Sequence, residues 1–236
     1  MRSSAPEPGR PHQQPEPDAR HGRLPYSPRP PVAADPGTGL VALDGGLAHV
    51  PPPGDSPPRL VLVLHGAGGS ARQALDLLLP VADAHGLLLV APQAHRSTWD
   101  VVVDGYGPDV ERIGAVLQAV TDAHAVAGAA VAGFSDGASY ALSLGVGNGD
   151  VFDSVVAFSP GFAAPLVRVG RARFFVSHGR ADAVLPIDRC SRVLVPRLRT
   201  EGYDVTYEEF EGGHAAPRDI AERAARWLEA PAEVGA

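Results

Sequence analysis

The chain has 236 residues, 44% of them hydrophobic, and a formal net charge of −7. That length and apolar content suit one sizeable α/β domain, while the acidic balance argues against nucleic acid or an anionic membrane as the main partner. The single cysteine, Cys190, rules out an intrachain disulfide and a cysteine-built zinc site, and all 20 basic residues are arginine, which removes chemistries that need a lysine amine: a Walker phosphate loop, a Schiff base, pyridoxal phosphate, or Ser-x-x-Lys acyl transfer.

Residues 1–35 are rich in Pro, Arg, His and Gln and poor in large apolar residues, so they are expected to form a disordered tail before a single domain at 36–236. The arginines of this stretch alternate with Glu7, Glu16, Asp18 and many prolines, which weighs against a basic arm or a transit peptide. No apolar run approaches the roughly 20 residues that cross a bilayer, and the amino terminus lacks the apolar core of a signal peptide. A soluble, cytoplasmic protein is expected.

From residue 36 the texture changes. "GLVALD" and "LAHV" read as two short strands turning at Gly45-Gly46, and "PPPGDSPP" reads as a loop between strands. Continuous apolar runs of the kind found in covered parallel strands follow: "RLVLVLHG" (59–66), "LLLVAP" (87–92), "AAVAGF" (129–134), "SVVAFSP" (154–160) and "RFFVSHG" (173–179), with "DVTYEEF" (204–210) as a final strand near the edge. Between them lie helical stripes: Leu75, Leu78, Leu79 and Ala82; Ile113, Val116, Leu117 and Val120; and, near the end, Ile220, Ala224, Trp227 and Leu228. Strands alternating with helices imply right-handed crossovers. The predicted fold is a single doubly wound α/β domain with a mostly parallel sheet and helices on both faces.

Reactive groups in such a sheet collect at the carboxyl ends of the strands. Ser135, in "GFSDG", falls at that end of "AAVAGF", directly before a helix that starts near Asp136. A tight strand-to-helix turn there would push its hydroxyl outward, and Gly133 and Gly137 suit the close approach of strand and helix. A serine needs a base, and the base needs an orienting carboxylate. Asp182, in "SHGRADAVLP", follows the strand "RFFVSHG", and His214, in "EFEGGHAAP", sits between the last strand and the last helix. Asp188 is the nearest rival acid, and it reads better as the N-cap of the helix "RCSRVLVPRL". Cys190, on that helix, reads as a small buried apolar residue.

Acyl transfer also requires donors for an oxyanion. "LHGAGGSA" (64–71) exposes backbone N–H groups, and the expected donors are the N–H of Ala67 and that of Asp136. His65 and the glycines would shape this loop. A phosphate-binding reading of it lacks both the G-x-G-x-x-G spacing and a lysine.

Taken together, "LHGAGGSA", "GFSDGASYAL", "SHGRADAVLP" and "GGHAAP" resemble the α/β-hydrolase superfamily, in particular its lid-less phospholipase/carboxylesterase-like branch of serine esterases, which includes polyhydroxybutyrate-depolymerase-like and feruloyl-esterase-like members. The resemblance covers residues 36–230 and implies Ser135 as nucleophile, His214 as base, Asp182 as its partner, a small-molecule ester as substrate, and neither a metal nor an organic cofactor. It also makes Trp99, in "APQAHRSTWD", a candidate substrate contact, the alternative being a tryptophan packed under a surface loop. "GFAAPLVRVGRA" is too short for a helical cap, which suits small, soluble or extended acyl substrates. A thioesterase or acyltransferase would use the same three residues, and a non-catalytic binding protein on this scaffold is the alternative of another class.

Overall fold

The computed structural model describes residues 18–27, 30–31 and 37–230. Strands β1 (Gly39–Leu43) and β2 (Gly46–Val50) form a hairpin, and β3 (Arg59–Leu64) opens the parallel part of the sheet. Helices α1 (Ala71–Asp76) and α2 (Leu79–Ala82) follow, then β4 (Leu87–Pro92), α3 (Asp100–Val103) and α4 (Pro108–Ala123). After them come β5 (Ala129–Phe134), α5 (Asp136–Gly147), β6 (Ser154–Phe158) and β7 (Arg173–Gly179). The chain closes with α6 (Ser191–Thr200), β8 (Val205–Phe210) and α7 (Arg218–Glu229).

The eight strands form one sheet in the order β1-β2-β4-β3-β5-β6-β7-β8. β1 and β2 pair antiparallel, β2 joins β4 antiparallel, and every later pairing is parallel. Alternate residues of the central strands face opposite layers, as the two-residue period of a strand requires. Leu60, Leu62 and Leu64 of β3 pack with Val131 of β5 against α4, α5 and α6. Val61 and Val63 pack with Ala130 and Ala132 against α1, α2 and α7. Burial on both faces explains why these strands read as unbroken apolar runs.

Two local expectations change. The stripe Leu75–Leu78–Leu79–Ala82 is split between α1 and α2, because Pro80 supplies no N–H and sits in the first turn of a new helix. Asp188 is not the N-cap of α6. That place is taken by Cys190 with no side-chain cap, while Asp188 Oδ1 pairs with Arg192 at 2.7 Å.

The larger correction concerns the stretch assigned to a tail. Residues 18–27 lie against the domain, and the rest of that assignment falls outside the described residues apart from residues 30–31. Leu24 is buried in the α4/α5 layer, and Arg23 makes a two-pronged ion pair with Asp150, both contacts at 2.7 Å. Asn148, wholly buried, is the anchor: its Nδ2 donates to Gly22 O and Leu144 O, while its Oδ1 accepts from Leu24 N at 2.9 Å. Apolar contacts of Leu24, Ala19 and Tyr26, the Arg23 ion pair and one buried amide thus hold a segment whose composition gives no sign of order.

Asn148→Ala should leave Leu24 N and two carbonyls without their partner, lowering stability by about 1–3 kcal/mol in urea unfolding and speeding amide exchange at Leu24. Unaltered exchange there would mean that the segment is held by other contacts.

Candidate active site

The turn between β5 and α5 sets the geometry. Ser135 has φ 58° and ψ −121°, one of two non-glycine residues with positive φ among the described residues. Such a conformation costs on the order of 1–3 kcal/mol and persists only where the surroundings enforce it. A Cβ on Gly133 would collide with the carbonyl of Gly137, and a Cβ on Gly137 would collide with the carbonyl of Leu64. Helix and strand can therefore meet only over glycine. The Ser135 N–H donates to Phe158 O at 3.0 Å, and its carbonyl accepts from Ser139 N at 3.0 Å, so both peptide groups are fixed.

The structure brings Ser135, His214 and Asp182 together. His214 Nε2 lies 2.9 Å from Ser135 Oγ, and His214 Nδ1 lies 2.7 Å from Asp182 Oδ2. Since a carboxylate only accepts, Nδ1 carries the proton and Nε2 is free to accept from the hydroxyl. The ring of Phe134 packs against His214 at 4.7 Å between centroids. Asp182 is wholly buried at its side chain, and its Oδ1 accepts from Val184 N at 2.9 Å and Leu185 N at 2.8 Å. Burial alone would raise its pKa, but the N–H groups of Leu185, His214 and Val184 outweigh that and hold the carboxyl below the usual carboxylate range.

A second strained serine supports this line. Ser159, at the end of β6, has φ 51° and is fully buried. Its Oγ donates to Ala215 O at 3.2 Å, gripping the residue that follows His214. Nothing in "SVVAFSP" marks this position in sequence, because positive φ at a serine has no compositional signal.

Beside Ser135 runs the loop from β3 to α1, residues 65–70. A Cβ on Gly66 would stand 3.3 Å from Ser135 Cβ, which measures how closely this loop passes. His65 is buried, and burial pushes its imidazole below the ordinary value, so it is neutral. Its Nδ1 donates to Gly66 O at 2.8 Å and its Nε2 accepts from Ala94 N at 3.2 Å. Gly68 N donates to Ser97 O at 2.6 Å. The N–H groups of Ala67 and of Asp136, the first residue of α5, have no protein acceptor among the described residues. The Asp136 carboxylate is tied back by Thr98 Oγ1 at 2.7 Å. A cleft of about 290 Å³ opens between this loop, Gln73, Leu77 and Phe134. A larger groove of about 700 Å³ lies along the Pro51–Pro53 and Pro57–Pro58 segments, at the amino ends of the strands and away from Ser135.

Trp99 requires a correction. It is completely buried, so it cannot touch a substrate. Its Nε1 donates to His65 O at 2.8 Å, and its ring stacks on Tyr140 at 5.3 Å and meets the tilted ring of His65 at 4.7 Å. Trp99 props the glycine loop from below. Tyr140 in turn donates to Asp100 Oδ1 at 2.9 Å, and Asp100 Oδ2 accepts from Gly107 N and Asp109 N.

A doubly wound sheet with serine, aspartate and histidine after β5, β7 and β8 defines the α/β-hydrolase fold, here without an inserted cap. No family model and no curated protein matches the chain. Solved structures do. Esterase PE8 is 25% identical, with 81% of this chain and 98% of that one aligned at a TM-score of 0.62. TT1662 from Thermus thermophilus is also 25% identical, over 78% of this chain and 94% of that one, at a TM-score of 0.58. The carboxylesterase of Bacillus cereus shares the fold at 17% identity, over 73% of this chain and 88% of that one, at a TM-score of 0.55.

Two stability measurements check this description. Trp99→Phe should cost about 1–3 kcal/mol in urea unfolding, since it strands the buried His65 carbonyl; an unaffected midpoint would favour a surface position. Asp182 has a folded pKa below its unfolded one, so its contribution is present above the usual carboxylate range and is lost as pH falls through it. The stability gap between the parent protein and Asp182→Asn should therefore be fully open at about pH 6 and shrink toward about pH 3. A gap independent of pH would mean the carboxylate is not held in its charged form.

Proposed function

We propose that the chain is a serine hydrolase that cleaves carboxylic esters through an acyl-enzyme on Ser135. The observation that carries this reading is the hydrogen-bonded line from Asp182 through His214 to a hydroxyl beside two unpartnered backbone N–H groups. Ester hydrolysis is also what the name of esterase PE8 states of that protein.

In this reading, Oγ of Ser135 attacks the ester carbonyl while its proton passes to Nε2 of His214. Nδ1–H stays on His214, and Asp182 stabilises the imidazolium without taking the proton. The oxyanion is met by the N–H groups of Ala67 and Asp136, each worth about 10²–10³ in rate. Collapse expels the alcohol with the proton from Nε2. Water then attacks the acyl-enzyme, giving its proton to the same nitrogen and freeing the acid and Ser135.

Substrate size follows from the loops. The connection from β6 to β7 carries no helix over residues 159–172 and is pinned to α5: Ser139 Oγ accepts from Gly161 N at 2.9 Å and Ser143 Oγ accepts from Ala164 N at 2.9 Å. Among the described residues no cap covers Ser135, which favours small or soluble esters over emulsified lipid. The chemistry requires no metal and no organic cofactor.

The test is a fluorophosphonate probe, with the adduct mapped by mass spectrometry, beside hydrolysis of short-chain esters. Ser135 should carry the adduct, and Ser135→Ala should lose both the adduct and at least about 10³-fold of the ester turnover while unfolding as the parent protein does. Hydrolysis retained by a folded Ser135→Ala protein would place the chemistry elsewhere.

A further inference from the structure

We propose that His178 is a positioning residue for Asp182 and His214, holding the carboxylate and its loop in register with the base. The inference rests on the catalytic reading of Ser135, His214 and Asp182.

His178 is the last residue but one of β7, its side chain is wholly buried, and it stands four residues before Asp182. Its Nε2 lies 2.8 Å from Leu185 O and 3.1 Å from Asp182 Oδ2. Both neighbours only accept, so Nε2 bears the hydrogen, directed at the carbonyl with the carboxylate oxygen beside that line. Nδ1 then presents its lone pair to Ser191 Oγ at 2.7 Å, and the serine hydroxyl donates. The tautomer is fixed from both sides. Flipping the ring would set C–H against a carbonyl and a carboxylate.

The clamp works through Leu185 as well. That residue's N–H donates to Asp182 Oδ1 at 2.8 Å while its carbonyl accepts from His178. Asp182 is thus gripped on one oxygen by Leu185 and Val184, and its other oxygen lies between two imidazoles, His214 and His178. The remaining ionisable groups around the ring are compensated or neutral. Glu209, its register partner on β8, is paired with Arg180 and Arg192, and burial, with the charge of Asp182, raises the pKa of Cys190. Burial also pushes the His178 imidazole below its ordinary value and keeps it uncharged.

Filling this space with an apolar side chain would avoid the desolvation cost of a buried imidazole. An apolar side chain cannot aim an N–H at the Leu185 carbonyl and the Asp182 carboxylate. That difference is what a positioning role explains and simple packing does not.

Three variants and one spectrum test it: His178→Phe, His178→Gln and Ser191→Ala, with the low-field Nδ1 proton of His214 followed by NMR. His178→Phe should lower kcat on a short-chain ester by about 10-fold to 100-fold with KM within about 2-fold, and the low-field resonance should broaden or vanish. The amide of His178→Gln reaches the Nε2 position, so it should restore the resonance and bring kcat to within about 5-fold of the parent protein. Ser191→Ala, which frees the tautomer, should fall between them and decides the matter should His178→Phe not fold. The proposal is overturned when kcat of a folded His178→Phe stays within about 2-fold, or when the Phe and Gln variants lose kcat equally and in step with thermal stability. Parent protein that takes no probe at Ser135 would overturn the catalytic reading itself, a failure visible before any variant is made.

Discussion

Everything at the carboxyl edge of the sheet depends on one steric constraint, the crossing of α5 over the end of β5. Gly133 and Gly137 are pressed against each other's backbone, and Gly137 is pressed against β3 as well. A single methyl group at either place would force helix and strand apart. The crossing leaves Ser135 no ordinary conformation, and the strain is held by α5, whose residues from Gly137 to Gly147 are all buried. A rigid, fully covered helix is what can sustain a backbone penalty of about 1–3 kcal/mol at its first turn. The hydroxyl is therefore presented at a fixed point, and the loops after β3, β7 and β8 are arranged around that point.

Histidines illustrate how burial assigns different duties to one side chain. His65 and His178 are buried, each with both ring nitrogens engaged, and desolvation disfavours the charge of both. They are rigid, neutral brackets. His214 is the partly exposed member, and its Nε2 faces the hydroxyl of Ser135, the proposed nucleophile. A ring that must gain and lose a proton in each cycle has to keep some contact with water, whereas one that only holds a loop is best kept dry. The distribution of exposure therefore matches the division of labour that the proposed reaction requires.

The fold was legible from the parallel strands because burial on both faces leaves a run such as "LVLVL" with no polar interruption. The glycine spacing of "GFSDG" and the chain order of Ser135, Asp182 and His214 were equally readable, since each sits just past a strand. Other features were hidden for physical reasons. Trp99 looks like a pocket residue because it lies in a loop at the right edge of the sheet, but its direction is set by a hydrogen bond to His65 O that no local pattern encodes. Residues 18–27 are held by partners such as Asn148 and Asp150, more than a hundred positions away, so a composition-based reading assigns them to the tail. His178 and Ser159 carry no signal because tautomer and positive φ are properties of the assembled site.

The connection from β6 to β7 carries no helix and takes its shape from hydrogen bonds to the helix beneath it. On α5 the Ser139 hydroxyl donates to Ser135 O and accepts from Gly161 N, and the Ser143 hydroxyl donates to Ser139 O and accepts from Ala164 N. Tyr106 adds a bond from its hydroxyl to Ala164 O at 2.8 Å. The β6–β7 connection is thus tied at three points to the layer beneath it. Serines at four-residue intervals along α5 fix the path of this connection beside the helix that carries Ser135. The cleft nearest Ser135 is bordered by the Ala67 loop, Gln73, Leu77 and Phe134, so in the proposed reaction these groups would meet the substrate first.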